Sequence, residues 1–130
     1  MITEDYVSFE TAELLKERGF DEEVLTYYVY DTESKSYEFR FDDRWDNPNN
    51  FPGDYCISAP TLQMAMKWLR EKYNYNIEID TIGQKSLNTL SWRSVIYNLE
   101  NGMECYYEDN FKSYEEACEV AIEYCIQDLI

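Results

Sequence analysis

Carboxylates are the chemistry this chain has most of: 27 Asp and Glu stand against 11 Lys and Arg, and there is no histidine. Two carboxylates can divide acid and base roles when their surroundings push their pKa values apart. With this many, suggestive pairs arise from composition alone, so no pair points to a reaction. The missing histidine removes the side chain that most often moves protons near neutral pH. It also removes every Ser-His and Cys-His nucleophile. The 4 glycines are scattered and form no phosphate-cradling run. These residue types argue against an enzyme, imply no cofactor, and leave binding as the expected function class.

Asp42, Asp43, Asp46 and Asp54 crowd one stretch and could in principle hold a hard cation. Their spacing is not that of an EF-hand, and no glycine sits at the turn such a loop needs. The stretch reads as a solvated acidic loop, with no metal site expected. Four cysteines, Cys56, Cys105, Cys118 and Cys125, make no C-x-x-C pair. Cys118 and Cys125, seven apart on one predicted helix, stand roughly 10 Å apart along its axis, beyond disulfide reach. They read as reduced, small apolar residues of a cytoplasmic protein.

Two patterns remain as candidate interaction residues. Glu116, Glu119 and Glu123 fall at i, i+3 and i+7, as do Glu10, Glu13 and Glu17. Each set makes an acidic stripe on a helix, able to imitate a phosphate row or meet a basic partner. The other pattern is the surplus of tyrosine, 13 in all. Tyr27, Tyr28 and Tyr30 lie in one predicted strand and must use both of its faces. Tyrosine suits an interface because it joins contact area to a polar tip, and it equally suits a half-exposed strand.

Three helices and five strands must position these residues. Ser8 caps a helix that Gly19 stops. Val24 to Tyr30 and Tyr37 to Phe41 read as a hairpin, with Tyr37, Phe39 and Phe41 sharing a face that should meet the core. Residues 42–54 read as the one long loop. Ser58-Ala59-Pro60-Thr61 reads as the start of a second helix, with proline in its first turn and Leu62, Ala65, Met66, Leu69 and Tyr73 on its apolar face. Its Lys67, Arg70 and Lys72 form the chain's basic cluster. Tyr75 to Asp80 is a strand, and Ser91 to Leu99 and Met103 to Tyr107 flank the hairpin signal Asn101-Gly102. A third helix opens with Ser113 and Glu116 as a capping box. Helices 1 and 3 begin alike, with Ser, an aromatic, Glu, any residue and Ala. Capping alone selects such residues, so they read as similar caps and not as a repeat. The expected fold is α+β, a single domain over 1–130 in the order α-β-β-α-β-β-β-α, mostly antiparallel sheet with helices packed against it.

Charge is distributed unevenly. Residues 1–46 carry −9, residues 47–98 carry +1, and residues 99–130 carry −8. The net −16 repels free nucleic acid and anionic membrane, so neither is expected as a direct partner. Glu4 and Asp5 stand where a signal peptide would carry Lys or Arg, and no apolar run reaches the roughly 18 residues of a membrane span. A cytoplasmic location is therefore expected.

Three stretches carry a resemblance: residues 6–20 (YVSFETAELLKERGF), 58–71 (SAPTLQMAMKWLRE) and 111–122 (FKSYEEACEVAI). Together they resemble small acidic proteins of Bacteroides-type gut bacteria, often prophage-associated, a group that brings no activity, cofactor or catalytic residue with it. The resemblance implies mobile-element biology. The leading expectation is a non-catalytic protein-interaction module that binds a protein partner or itself through its tyrosine-rich sheet. One alternative is an acidic nucleic-acid mimic that occupies a basic DNA-binding protein. Another is a small-ligand pocket walled by Trp45, Phe51, Tyr55 and Trp68.

Overall fold

The computed structural model describes residues 1–53 and 55–130. The fold is α+β, and the chain divides into two compact units, Met1–Thr61 and Leu62–Ile130. Each holds a three-stranded antiparallel sheet. The expected element order is present, with one short strand added ahead of the second helix.

The first unit opens with helix α1, Phe9–Glu17. Its Ser8 cap accepts from the Thr11 amide at 3.2 Å, which satisfies one of the orphan donors of the first turn. The helix ends in a Schellman turn: the Phe20 amide reaches the Leu15 carbonyl at 2.9 Å and the Gly19 amide reaches Lys16 at 3.1 Å. Gly19 takes a φ of +86° there, a conformation that costs a side-chain-bearing residue. Three strands follow, β1 (Val24–Asp31), β2 (Ser36–Asp46) and β3 (Cys56–Ser58). They lie in the order β2-β1-β3.

Two readings of this unit need correction. Residues 42–54 are not one loop. β2 runs on to Asp46, which pairs with Val24 across a bulge, and residues 48–50 form a 3-10 turn. Asn49 pins that turn: its side chain accepts from the Ser58 amide at 2.8 Å and donates to the Phe20 carbonyl at 2.9 Å. Likewise, Ser58-Ala59-Pro60 does not start the second helix. Ser58 closes β3, the Ala59 amide donates to Thr26 and the Pro60 carbonyl accepts from Val7, both at 3.0 Å. The buried Thr26 hydroxyl donates to the Ala59 carbonyl. These long-range bonds hold the segment extended up to Thr61.

The second unit holds α2 (Leu62–Tyr73), β4 (Tyr75–Ile82), β5 (Ser91–Asn98), β6 (Glu104–Phe111) and α3 (Tyr114–Tyr124), which runs into a π turn over Cys125–Leu129. The sheet is a meander, β4-β5-β6. Leu62, Ala65, Met66, Leu69 and Trp68 of α2 are buried, as are Ala117, Cys118, Ala121 and Ile122 of α3. The Asn101-Gly102 hairpin forms with a four-residue loop, closed by the Asn98 amide on Met103 at 2.9 Å and the Gly102 amide on Asn98 at 2.8 Å. The differing strand orders of the two units fit two similar caps better than an internal repeat.

Candidate interaction surface

The tyrosines of β1 divide between the two faces of the first sheet. Pairing sets Thr26 beside Phe41, Tyr28 beside Phe39 and Tyr30 beside Tyr37, so these six share a face. Tyr27, opposite Arg40, and Val29, opposite Glu38, belong to the other face. The sequence candidates Tyr27, Tyr28 and Tyr30 are therefore not one patch.

The Tyr28 face is a continuous run of rings. Phe9 of α1 lies over Tyr37 at 4.5 Å between centroids and meets Tyr28 edge-on at 5.5 Å. Tyr6 contacts Phe39 at 5.1 Å and Phe41 at 5.8 Å. Phe39 in turn touches Tyr28 at 5.5 Å and Phe41 at 5.2 Å. Edge-on and tilted contacts of this kind add to simple burial. Tyr28 is a packing residue as well as a ring, because its hydroxyl donates to the Val7 carbonyl at 2.8 Å. Tyr30 extends the run to Tyr37 and to Tyr55.

Phe41 departs from the expected inward face: it is 66% exposed, while Tyr37 and Phe39 are half-buried. The reason is coverage. A helix of 9 residues is roughly 13 Å long, whereas a strand of 11 residues extends roughly 35 Å. α1 also packs against β3, at the opposite edge from β2. Trp45 at 58% and Tyr55 at 61% are exposed too, as is Phe51. Sequence groups Trp45, Phe51 and Tyr55 only as walls of a pocket, and it misses the exposure of Phe41 because period-two alternation says which face a residue takes and nothing about whether that face is covered.

Beside the ring run, Glu13, Lys16, Glu17, Tyr37 and Ile57 line an open groove of about 430 Å³. The Lys16 ammonium donates to the carbonyls of Gly53 and Cys56, each at 3.4 Å, so it serves the fold on that side. Of the proposed pocket walls, Trp45, Phe51 and Tyr55 are exposed in the first unit, and Trp68 is buried in the second, where Tyr73 meets its ring edge-on.

The acidic stripe of α3 is partly used by its own helix. The Glu116 carboxylate accepts from the Lys112 amide at 3.1 Å, and the Glu116 amide donates to Ser113 at 3.1 Å. This is the expected capping exchange moved one residue outward. Glu116 is exposed, but Glu119 and Glu123 are half-buried. The basic cluster of α2 is likewise engaged: Lys67 pairs with Glu71 at 3.9 Å and Lys72 lies over the Trp68 ring at 5.6 Å.

Elsewhere, Arg93 grips both carboxylate oxygens of Asp80 on the outer face of the second sheet. Its guanidinium holds the Asp80 carboxyl below the usual range. Burial pushes the Cys125 thiol up to about 12. Burial, followed by a hydrogen bond to Glu108, raises the Tyr106 phenol. Asp42 and Asp46 spend side-chain oxygens on the amides of Asp43 and Asn47, while Asp54 lies outside the described residues. Among the described residues no group of three or more acidic or cysteine side chains could hold a metal ion, and no helix is long and apolar enough to cross a membrane. Compared with known proteins, the chain matches no family model, no curated protein and no solved structure.

Proposed function

We propose that this chain is a non-catalytic protein-interaction module that associates with itself through the aromatic sheet of its first unit. The observation that carries the reading is Phe41. It stands at the end of a run of packed rings and on an edge strand, yet is 66% exposed. A large ring continuous with a packed cluster and open to solvent marks a surface suited to a partner. Exposed Trp45 and Tyr55 add residue types enriched at interface centres.

Solution mass by light scattering, at low and at high salt, tests this. The expected result is a dimer at both, because ring burial is not screened by salt. A monomer at both overturns the reading. A monomer that instead forms a salt-labile complex with a basic DNA-binding protein, competed by duplex DNA, would move the assignment to the acidic mimic.

A further inference from the structure

Resting on that reading, we propose that two copies of the chain join edge to edge, β2 against β2, antiparallel about a two-fold axis at Phe39. The strand itself specifies the arrangement. β2 is an edge strand, and over Ser36–Phe41 it has no proline, no lysine and no bulge to guard against pairing; its two charges, Glu38 and Arg40, are of opposite sign. The Ala59 amide on Thr26 and the Tyr30 amide on Tyr55 show that the even positions of β1 turn their backbone groups toward β3. By the alternation of an antiparallel ladder, Tyr27 and Val29 then turn theirs toward Arg40 and Glu38. The backbone groups of Phe39 and Phe41 accordingly face away from β1. Among the described residues the Arg40 side chain reaches the Phe39 carbonyl there, at a long 3.5 Å, a contact that a backbone amide of a second copy would replace.

The residues Tyr37-Glu38-Phe39-Arg40-Phe41 read as a palindrome of chemistry. With the axis at Phe39, Phe39 meets its own copy, Tyr37 meets Phe41, and Glu38 meets Arg40 on both sides of the axis. Glu38 and Arg40 already pair within the strand, so the dimer closes a ring of four alternating charges. Phe41, the most exposed ring of the run, gains Tyr37 of the second copy as a neighbour. Directly opposed aromatic and opposite-charge pairs are the stabilising unit of a sheet.

Charge excludes neighbouring registers. An axis at Arg40 sets that arginine against itself and Glu38 against Asp42. An axis at Glu38 sets two glutamates face to face. An axis at Phe41 is complementary on paper, but it needs residues 42–45 as a straight strand. There the pairing with β1 jumps from Phe41 to Asp46, and the Asp43 and Arg44 amides turn in to the Asp42 carboxylate.

A charge swap tests the proposal. In sedimentation equilibrium, Glu38→Arg and Arg40→Glu should each weaken self-association by about tenfold or more, because like charges then oppose across the axis. The double variant Glu38→Arg/Arg40→Glu should return to within about threefold of the unaltered chain, since exchanging both ends restores every opposed pair. A strand pair places the two Phe39 Cα atoms about 5.5 Å apart, inside the disulfide range. Phe39→Cys should therefore cross-link to itself under mild oxidation, and Phe41→Cys should not. A dimer indifferent to the swaps, or linked through position 41 instead of 39, overturns the edge pairing and leaves self-association standing. A chain that stays monomeric at every concentration overturns both.

Discussion

The two units solve the same problem with different amounts of helix. The second lays α3 across all three strands of its meander and adds α2 against β4 and α3. Its fully covered side chains are aliphatic or small, Leu69, Ile96, Ile122, Cys125 and Ile126 among them, and it also buries Trp68 and Phe111. The first also buries Val7, Leu15, Phe20, Val24 and Ile57, but it has one helix of 9 residues and fills the rest of its face with rings, several of them only half-buried. An aliphatic side chain contributes mainly by leaving water. A ring with a hydroxyl or an exposed edge can tolerate water on one side and wait for a neighbour. Tyrosine and phenylalanine stand where helix coverage fails, which is the difference the proposed self-association rests on.

The sharpest way to break this comparison is to truncate each unit at its characteristic residue. Leu69→Ala, in the fully covered core of the second unit, should cost about 3 kcal/mol in chemical denaturation. A cost under about 1 kcal/mol would mean that the core relaxes into the space, and the second unit would lose its standing as the rigid partner.

The hairpins of the second unit give the next largest effect. Gly83 has a φ of +86°, and a Cβ there would meet the Thr89 carbonyl oxygen at 2.3 Å. Gly102 has a φ of +72° with nothing within 4 Å. Gly83→Ala should therefore cost about 2–3 kcal/mol and Gly102→Ala about 1 kcal/mol, since only the first adds a backbone collision to the left-handed strain. Equal costs measured by thermal unfolding would show that the 83–89 turn yields.

Alkaline pH should act through the second unit as well. Burial raises the Cys125 thiol to about 12 in the fold, against roughly 8.5 in an unfolded chain. The unfolded state then releases its proton first. Stability from this group is full below about pH 8.5 and falls as pH rises toward the folded value, by about 2 kcal/mol at pH 10. Denaturant melts from pH 8 to 10 should show that slope, and Cys125→Ala should flatten it. A slope unchanged in the variant would assign the loss to other groups, first the Cys56 and Cys105 thiols, which burial also raises.

What was legible in the sequence follows the same division. α3 and its cap could be read because Ser113, Glu116 and the apolar spacing of Ala117, Cys118, Ala121 and Ile122 are all local. The Asn101-Gly102 turn was legible for the same reason. β3 was not, because three residues ahead of a proline carry no period, and their pairing depends on Asn49 and Thr26 reaching from elsewhere. The run of β2 through Asp42 to Asp46 was hidden because its composition is that of a turn, and only the Val24 pairing makes it strand. The tyrosines of β1 were found by type, and alternation alone puts them on both faces of the strand, but which face carries the packed rings needed the register and the position of Phe9 on α1. Phe41 was given the right face and the wrong environment, since alternation cannot report that α1 stops short.

Phe41→Ser should have the smallest effect on folding and the largest on association. The ring is 66% exposed and loses its contacts to the Tyr6 and Phe39 rings, so the isolated chain should be destabilised by about 0.5–1 kcal/mol. Measured at a concentration low enough to hold the protein monomeric, this loss should be a fraction of the Leu69→Ala value. At high concentration the same variant should fail to dimerise, because the hydroxymethyl group offers Tyr37 of a second copy no face to pack on. Loss of stability comparable to Leu69→Ala would make Phe41 a core residue, and the first unit would then resemble the second. Small loss with intact dimerisation would locate the interface on the rings left behind, Trp45 and Tyr55. Only small loss with a monomeric product sustains the contrast between a unit whose helices cover its sheet and one that keeps uncovered rings in reserve for a copy of itself.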